Sequence, residues 1–222
     1  AERRPDLLRR LKDGATLALI SDAGTPLVSD PGYKLVRDAA EAGLTVRAVP
    51  GASALLAGLV TSGLPSDRFL FAGFLPSKAA ARRREIARLT EVPATLIFYE
   101  SGPRLAGCLR DLRDGLGPDR EAAVARELTK LFEETRRGRL GDLEAHYEAA
   151  GPPKGEIVVL VGPPDTRAGA DEADLDAALA DALARLPVKQ AANDVAVRFG
   201  VGKRDMYQRA LTLKGGTDEA PE

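Results

Sequence analysis

Two loops rich in small residues follow the first two predicted strands, and small residues let main-chain atoms approach a ligand closely. The loops have the sequences SDAGTPLVSDPG (residues 21–32) and VPGASA (residues 49–54). Open α/β sheets bind ligands at the carboxyl ends of their strands, so the pair of loops predicts one ligand-binding edge. Neither loop has the G-x-G-x-x-G or the Walker pattern, so a phosphate cradle is unsupported. The alternative for the first loop is a tight turn in which Asp30 caps the next helix.

Two further polar clusters follow later predicted strands, with the sequences ESGPR (residues 100–104) and RELTKLFEE (residues 126–134). Each cluster is ambiguous by itself, because charged residues beyond a strand are usually just solvated. His146 is the only histidine, which argues against a histidine-based metal site. The single cysteine, Cys108, falls in line with the leucines of a predicted helix, as a small core residue would. We therefore predict neither a metal centre nor a cysteine nucleophile.

The elements that must position these loops are short apolar runs that alternate with helical patterns. The predicted strands are Thr16–Ser21, Thr45–Val49, Phe69–Phe74, Ala94–Tyr99, Ala122–Arg126 and Glu156–Val161. The predicted helices are Pro5–Lys12, Gly32–Ala42, Ala52–Ser62, Lys78–Leu89, Pro103–Asp114 and Gly141–Ala149. Runs such as ATLALIS and EIVVLVG are apolar at consecutive positions, as strands covered on both faces are. The alternation predicts an α/β fold with substantially parallel sheets.

The N-terminal region has few strands for such a fold. Only two strands are predicted before Pro65, and a two-stranded parallel sheet cannot form a stable layer. We therefore expect a preceding segment with further strands, so that residues 1–66 are the remainder of a first α/β domain and residues 67–164 form a second one.

The pattern changes after Pro164. Residues 165–174 are acidic and predict a linker. Helical patterns follow at Leu175–Leu186, Val188–Phe199 and Lys203–Lys214, and a glycine-containing turn separates the last two, as in a helix-turn-helix. Residues 175–214 are thus predicted to be a helix-turn-helix domain, and residues 215–222 a disordered tail.

Composition limits the classes of protein further. The chain has 222 residues, of which 44% are hydrophobic and 29% charged, the balance of an ordinary globular protein. No apolar stretch is long enough to span a bilayer, no signal-peptide pattern opens the chain, and one cysteine fits a reducing cytoplasm. The net charge is −1, yet residues 182–214 are basic, which suggests a local anionic partner. The alternative is a solvated helical surface with no partner.

Six strings occur in an order that resembles the tetrapyrrole methylase superfamily. They are ISDAGTPLVSDPGYKLV, VPGASA, GLPSDRFLFAGFLP, TLIFYESGPRL, ARELTKLFEE and KGEIVVLVG. The C-terminal LPVKQAANDVAVRFGVGKRDMYQRAL resembles the helix-turn-helix of one branch, the ribosomal RNA small subunit methyltransferase I family. The likeness runs from about Leu7 to Leu213. The family's usual first strand ending in TPIGNL and its AEDTR-type motif are absent from this sequence.

The resemblance implies two α/β domains with S-adenosylmethionine bound in the cleft between them. Carried over position by position, the implied cofactor-binding residues are Ala23, Gly24, Thr25, Val28, Ser53, Ala54, Glu100, Thr129, Gly155 and Glu156. The implied reaction is methylation of the ribose 2′-hydroxyl of a cytidine in the decoding region of 16S rRNA. A ribose hydroxyl is a poor nucleophile while protonated, so a base or a charge-stabilising group would help. Glu100, Glu127 and Lys130 are the candidates, and the sequence does not choose among them.

An RNA substrate would draw on two basic regions, whose phosphate contacts carry little sequence information. The candidate RNA-binding residues are Lys78, Arg82, Arg83, Arg84, Lys189, Lys203, Arg204 and Arg209. The family also implies a homodimer that acts on 16S rRNA or the small ribosomal subunit. Two alternatives stay open: methylation of a porphyrin-like small molecule, against which the basic helices speak, and a nucleic-acid-binding module without catalysis.

Overall fold

The first unit (residues 1–164) contains one mixed sheet of five strands. Four of the strands are rich in β-branched, aromatic or other apolar residues, and the fifth is charged and lies at the edge of the sheet. The strands are β1 (Phe69–Phe74), β2 (Thr95–Ser101), β3 (Glu121–Arg126), β4 (Glu134–Arg139) and β5 (Glu156–Val161). Their order in the sheet is β1-β2-β5-β3-β4. Only β1 and β2 pair in parallel, whereas β5 runs antiparallel to both β2 and β3, and β3 and β4 are antiparallel. The computed structural model describes residues 3–21, 24–164 and 172–215.

Nine helices lie within the described residues. They are α1 (Arg4–Lys12), α2 (Tyr33–Glu41), α3 (Ala54–Ser62), α4 (Ala79–Ala87), α5 (Gly102–Leu116), α6 (Leu140–Ala150), α7 (Glu172–Leu183), α8 (Val188–Phe199) and α9 (Lys203–Gly215). The chain divides into two compact units, residues 1–164 and residues 165–222. None of the helices in the described ranges has the length and apolar character that crossing a bilayer requires.

Apolar side chains cover both faces of the sheet in the first unit. On one face Phe98 and Val159 pack with Leu105 and Leu109 of α5 in the larger core. On the other face Ile97 and Leu160 pack with Leu59 of α3. This two-sided burial explains why β2 and β5 have apolar residues at consecutive positions.

The prediction of an α/β fold is confirmed, but the expectation of substantially parallel pairing is wrong for this sheet. A connection of only seven residues joins β3 to β4, which permits a hairpin and not a crossover. β4 itself was not predicted, because its sequence ETRRGR has no apolar alternation. A charged strand of this kind is typical of a sheet edge, where its side chains discourage pairing with another chain.

The two N-terminal strand predictions, Thr16–Ser21 and Thr45–Val49, are also wrong. Neither segment is in a strand, and no strand in the described residues pairs with them. A strand is defined by hydrogen bonds to a neighbour, so an apolar run without a partner does not form one. Apolar side chains of both segments are therefore exposed: Ile20 is 86% exposed and Val49 is 91% exposed.

The second unit is a three-helix domain, and the predicted C-terminal helix-turn-helix is confirmed. Leu179 of α7, Val195 of α8 and Met206 of α9 meet in its core. Gly200 ends α8 with a left-handed φ of 65°, a conformation that costs glycine little. Residues 165–171 of the predicted linker and residues 216–222 of the predicted tail lie outside the described residues, while residues 172–174 already belong to α7.

Candidate functional site

A cleft of about 310 Å³ opens at one edge of the sheet in the first unit. Because β5 is antiparallel to β2, the start of β5 and the end of β2 lie side by side, with Glu100 opposite Ile157. The end of β1 joins them, with Phe74 opposite Tyr99. The cleft therefore lies where the carboxyl ends of β1 and β2 converge with the start of β5, which is where α/β sheets bind ligands.

The residues that line the cleft come from the N-terminal loops and from the sheet. They are Gly24, Thr25, Val28, Ser29, Asp30, Ala54, Phe74, Tyr99, Glu100, Leu128, Glu156, Ile157 and Val158. The predicted cofactor-binding set contributes Gly24, Thr25, Val28, Ala54, Glu100 and Glu156 to this lining. Ser53, Thr129 and Gly155 are not in the lining but are each adjacent in sequence to a residue that is. Ala23 lies outside the described residues.

The two small-residue loops are tied to each other at the cleft. Thr25 Oγ1 donates a hydrogen bond of 3.2 Å to the carbonyl oxygen of Ala52. Gly24 has a left-handed φ of 71°, and a Cβ placed there would meet no atom within 4 Å. Bare main chain thus faces open space at the point where the sequence predicts close approach to a ligand.

Asp30 does not cap the following helix, so that alternative for the first loop is wrong. The N-cap of α2 is Gly32, and no side chain caps this helix. Instead, Asp30 Oδ2 accepts a hydrogen bond of 2.5 Å from Ser21 Oγ, and Asp30 belongs to the cleft lining. Its carboxylate adds negative charge to the cleft.

Glu100 is the most buried carboxylate of the lining, with a side chain only 1% exposed. Its Oε1 accepts a hydrogen bond of 2.8 Å from the backbone N–H of Ser101 and lies 3.3 Å from Nε of Arg104. Its Oε2 is buried and has no hydrogen-bond partner. Arg104 and the buried thiol of Cys108, both on α5, lie beside the carboxylate, so Glu100 is a negative charge held between the cleft lining and α5.

The loop after β3 is held beside the cleft by a charge network. Lys130 Nζ donates to Glu127 Oε1 and to Glu156 Oε2, each at 2.9 Å. Glu127 Oε1 also accepts the backbone N–H of Glu156 at 3.0 Å. The hydrogen bond from Lys130 lowers the pKa of Glu127, and the hydrogen bond to Glu127 raises the pKa of Lys130. Lys130 therefore stays protonated at neutral pH and is suited to stabilise negative charge, not to accept a proton.

Backbone strain concentrates around the same cleft. Among the described residues, four that are not glycine have a left-handed φ: Leu27, Ser29, Glu127 and Thr129. Ser29 lines the cleft, and Glu127 and Thr129 flank the lining residue Leu128. Such conformations cost roughly 1–3 kcal/mol each and cluster at ligand clamps. The sequence contains no signal for them, since none of the four is glycine or asparagine.

The sequence suggests that Tyr99 could border the cofactor, and Tyr99 lines the cleft, but Phe74, the other half of this aromatic wall, was missed. The ring of Tyr99 makes edge contacts with Phe71 and Phe74, at centroid distances of 4.9 and 5.7 Å. Phe74 and Tyr99 both line the cleft, whereas Phe71 supports them from the sheet. The alternation of side chains along β1 and β2 would have placed Phe74 and Tyr99 at this edge only if the register had been known.

Cys108 has the structural role that its spacing predicts. It is buried beneath the sheet, and burial, reinforced by the charge of Glu100, raises the pKa of its thiol to about 12. The thiol stays protonated and is not a nucleophile. In the part of the chain that the structure covers, no three His, Cys, Asp or Glu side chains cluster as ligands of a metal ion would.

The candidate RNA-binding residues fall into two groups. Lys78, Arg83 and Arg84 are exposed at the start of α4. The prediction that Arg82 contacts RNA is corrected by the structure, because Arg82 is buried. Its Nε donates to Asp111 Oδ2 at 2.6 Å, and its Nη2 donates to the carbonyl of Gly107. Arg82 differs from Arg83 and Arg84 in burial because it lies on the face of α4 that packs against α5, whereas the other two lie on the exposed face.

In the second unit, the four predicted basic residues also differ. Lys189, Lys203 and Arg204 are exposed. Arg209 instead holds Asp176 of α7 through Nε at 2.5 Å and Nη2 at 3.0 Å. Arg209 therefore links α9 to α7 and, like Arg82, is engaged inside the protein and not available to contact RNA.

Two families match the sequence. Residues 2–144 match the family Tetrapyrrole (Corrin/Porphyrin) Methylases, and residues 169–214 match the family RsmI C-terminal HTH domain. The first match includes every lining residue up to Leu128, and the second includes most of the three-helix unit.

Two similar curated proteins have the same name. A protein of Mesorhizobium japonicum called ribosomal RNA small subunit methyltransferase I is 51% identical over 218 residues, which are 98% of this chain and 74% of the relative. A protein of the same name from Pseudomonas aeruginosa is 47% identical, over 94% of this chain and 75% of the relative. The chain thus spans about three quarters of these relatives.

Solved structures share the fold at low sequence identity. Diphthine synthase superimposes with a TM-score of 0.54 at 19% identity, covering 72% of this chain and 65% of that chain. The methyltransferase CobJ superimposes with a TM-score of 0.53 at 21% identity, covering 73% of this chain and 70% of that chain. These likenesses concern the architecture alone.

Proposed function

Since this chain belongs to the tetrapyrrole methylase family, we propose that it uses S-adenosylmethionine to methylate small-subunit ribosomal RNA. The observation that carries the proposal is the 51% identity to a ribosomal RNA small subunit methyltransferase I, which extends over both units of the chain. We further propose that the methyl acceptor is the 2′-hydroxyl of a cytidine in the decoding region of 16S rRNA. The same family membership and the single buried cysteine support action in the cytoplasm.

The cleft residues fit a cofactor that carries positive charge. The carboxylates of Asp30 and Glu100 supply negative charge at the lining, while Gly24 leaves its backbone bare. The aromatic and apolar wall of Tyr99, Ile157 and Val158 suits a planar base. We assign cofactor binding to Gly24, Thr25, Val28, Ser53, Ala54, Glu100, Thr129, Gly155 and Glu156, with Ala23 by position in the sequence.

When bound, S-adenosylmethionine supplies an electrophilic methyl group, so the chain's own task is to orient the attacking hydroxyl and to manage its charge. Lys130 is protonated and, held by Glu127 and Glu156, would stabilise the negative charge that develops on the attacking oxygen. The carboxylate of Glu127 is engaged by Lys130 and by the N–H of Glu156. We therefore treat Glu127 as a residue that positions Lys130.

The RNA would contact exposed cations of both units: Lys78, Arg83 and Arg84 on α4, and Lys189, Lys203 and Arg204 on α8 and α9. Phosphate contacts of this kind make the affinity fall with rising salt. Homodimerisation is part of the proposal as well, supported by the exposed apolar side chains Leu56 and Val60 on α3. Sedimentation equilibrium of the purified protein tests the dimer.

The direct test is transfer of tritiated methyl from S-adenosylmethionine to small ribosomal subunits that lack the modification. The purified protein is assayed, and calorimetry measures its cofactor binding. Mass spectrometry of nuclease fragments should find a 2′-O-methylcytidine in the decoding region. Absence of cofactor binding would contradict the enzyme assignment. Cofactor binding with methyl transfer to a porphyrin-like substrate, and none to subunits, would favour the small-molecule alternative.

A further inference from the structure

A groove of about 970 Å³ lies between α8 and α9 in the C-terminal unit. Its lining is made of Leu186, Lys189, Gln190, Ala192, Asn193, Asp194, Lys203, Arg204 and Tyr207. Behind these residues, Val195 of α8 and Met206 of α9 are buried in the core of the unit. The two helices that form the groove are thus held by packing, which gives the exposed side chains a fixed spacing.

The cations of this groove differ from the other cations of the same unit. Within the described residues, Lys189, Lys203 and Arg204 make no ion pair, whereas Arg209 pairs with Asp176 and Arg185 pairs with Asp181. Asp194 is the single acidic residue of the lining, so the groove has an excess of positive charge. Cations that no carboxylate neutralises are available to phosphate groups.

Tyr207 presents an aromatic ring among these cations. Its side chain lies one helical turn after Lys203 and Arg204, and the residue is 39% exposed. Across the groove, Gln190 and Asn193 of α8 offer side-chain amides, which carry both donors and acceptors. An aromatic face, two amides and three cations are the groups that proteins use to hold an unstacked nucleotide.

We propose that the groove between α8 and α9 captures one unpaired nucleotide of the RNA, with Tyr207 as the stacking platform. In this arrangement Lys189, Lys203 and Arg204 contact the flanking phosphates, and the amides of Gln190 and Asn193 contact the base edge. The inference rests on the proposed function for the identity of the partner as RNA. A paired site is disfavoured, because the major groove of A-form RNA is too deep and narrow for side chains to read.

The test uses an RNA hairpin with 2-aminopurine at one loop position and the 222-residue chain. Stacking on Tyr207 should quench the 2-aminopurine fluorescence on binding, and a fully paired duplex of the same length should bind more weakly. Tyr207→Leu should abolish the quenching and weaken hairpin binding by roughly tenfold, the size of one lost stacking contact. Tyr207→Phe should retain both effects, since the ring is kept.

Gln208→Ala is the matched control, because Gln208 is an exposed neighbour on α9 outside the groove lining. It should bind like the unchanged chain, and circular dichroism should show all three variants folded. Lys203→Ala should reduce the slope of log affinity against log salt by roughly 0.7, the value for one phosphate of a single strand. Equal binding of hairpin and duplex, or unchanged quenching in Tyr207→Leu, would overturn the inference.

Methyl transfer to small ribosomal subunits separates the two proposals. A Tyr207→Leu variant with a raised KM for subunits and an unchanged kcat supports the nucleotide site. Transfer by the unchanged protein with no effect of Tyr207→Leu on KM defeats the nucleotide site alone. Hairpin quenching without any transfer by the unchanged protein defeats the proposed function and leaves RNA capture by the groove standing.

Discussion

The side chain of Glu127 lies against the α-carbon of Gly155, so close that a Cβ on Gly155 would come within 2.4 Å of Glu127 Cγ. Glu127 in turn holds Lys130 through a hydrogen bond of 2.9 Å. A glycine at the start of β5 is therefore a condition for the charge network beside the cleft. This relationship links a backbone requirement in one strand to the position of a cation on another loop.

Replacement of Gly155 by alanine should lower both stability and cofactor affinity. The new Cβ would collide with Glu127, and alanine would have to adopt a left-handed φ of 102°. Gly117→Ala is the matched control, because Gly117 has the same φ of 102° and a Cβ at that position would meet no atom within 4 Å. The backbone strain of roughly 1–3 kcal/mol is common to both variants. Urea unfolding should show a larger loss of unfolding free energy for Gly155→Ala than for Gly117→Ala. Calorimetry should show weakened cofactor binding only for Gly155→Ala. Equal effects of the two substitutions would refute the contact between residue 155 and Glu127.

Replacement of Lys130 by glutamine should raise the pKa of Glu127 towards its ordinary value. The hydrogen bond from Lys130 is the largest cause of the lowered pKa of Glu127 in the folded chain. The stabilising contribution of Glu127 is present above its unfolded pKa and disappears as pH falls through its lower folded pKa. Carbon-13 NMR titration of the Glu127 carboxyl in both proteins measures the change. An identical titration midpoint in Lys130→Gln would show that Lys130 does not control Glu127.

Replacement of Glu100 by glutamine should weaken binding of S-adenosylmethionine more than binding of S-adenosylhomocysteine. Glutamine keeps the shape and the acceptor for the N–H of Ser101, but it removes the charge. Only the first ligand has a positively charged sulfonium, so a carboxylate acting through charge discriminates between the two. Calorimetry should give a loss of about tenfold for the charged ligand, about 1.4 kcal/mol. Equal losses for both ligands would mean that Glu100 does not act on that charge.

Replacement of Arg82 by alanine should destabilise the fold without weakening the salt dependence of RNA binding. The variant removes the partner at 2.6 Å from the carboxylate of Asp111, whose side chain is 7% exposed, and leaves it only the exposed Arg83 at 3.4 Å. Breaking a buried pair in this way typically costs about 3–5 kcal/mol. Arg84→Ala, on the exposed side of the same helix, should change stability by less than about 0.5 kcal/mol. Urea unfolding and a salt series with the hairpin RNA measure both effects, and a loss of stability in Arg84→Ala similar to that in Arg82→Ala would contradict this division of roles.

Several features of the site could be predicted because their signals are local. The apolar run of β5 requires cover on both faces, and Ile97 and Phe98 of β2 obey the same rule on opposite faces of the sheet. Gly24 and Thr25 were predicted to face a ligand from the small residues around them, and both line the cleft. The helix pair α8 and α9 followed from apolar spacing interrupted at Gly200.

Other features depended on partners far away in the sequence. The apolar segments at residues 16–21 and 45–49 have the composition of strands but lack neighbours in the described part of the chain, so no ladder forms. β4 is the opposite case, because its charged sequence does not predict a strand and its hydrogen bonds to β3 make it one. Arg82 and Arg84 have the same side chain two positions apart, and only the packing of α4 decides that one is buried.

Sequence by itself determined the family, the alternation of helices and strands, and the loops that border the cleft. Each of these depends on residue types that lie close together along the chain. Tertiary structure decided the antiparallel placement of β5 between β2 and β3, which brings Glu100, Leu128 and Glu156 to one edge. It also decided which cations are free and which are held by a carboxylate. The physical reason is that hydrogen-bond ladders, burial and ion pairing depend on distances between residues that are remote along the chain.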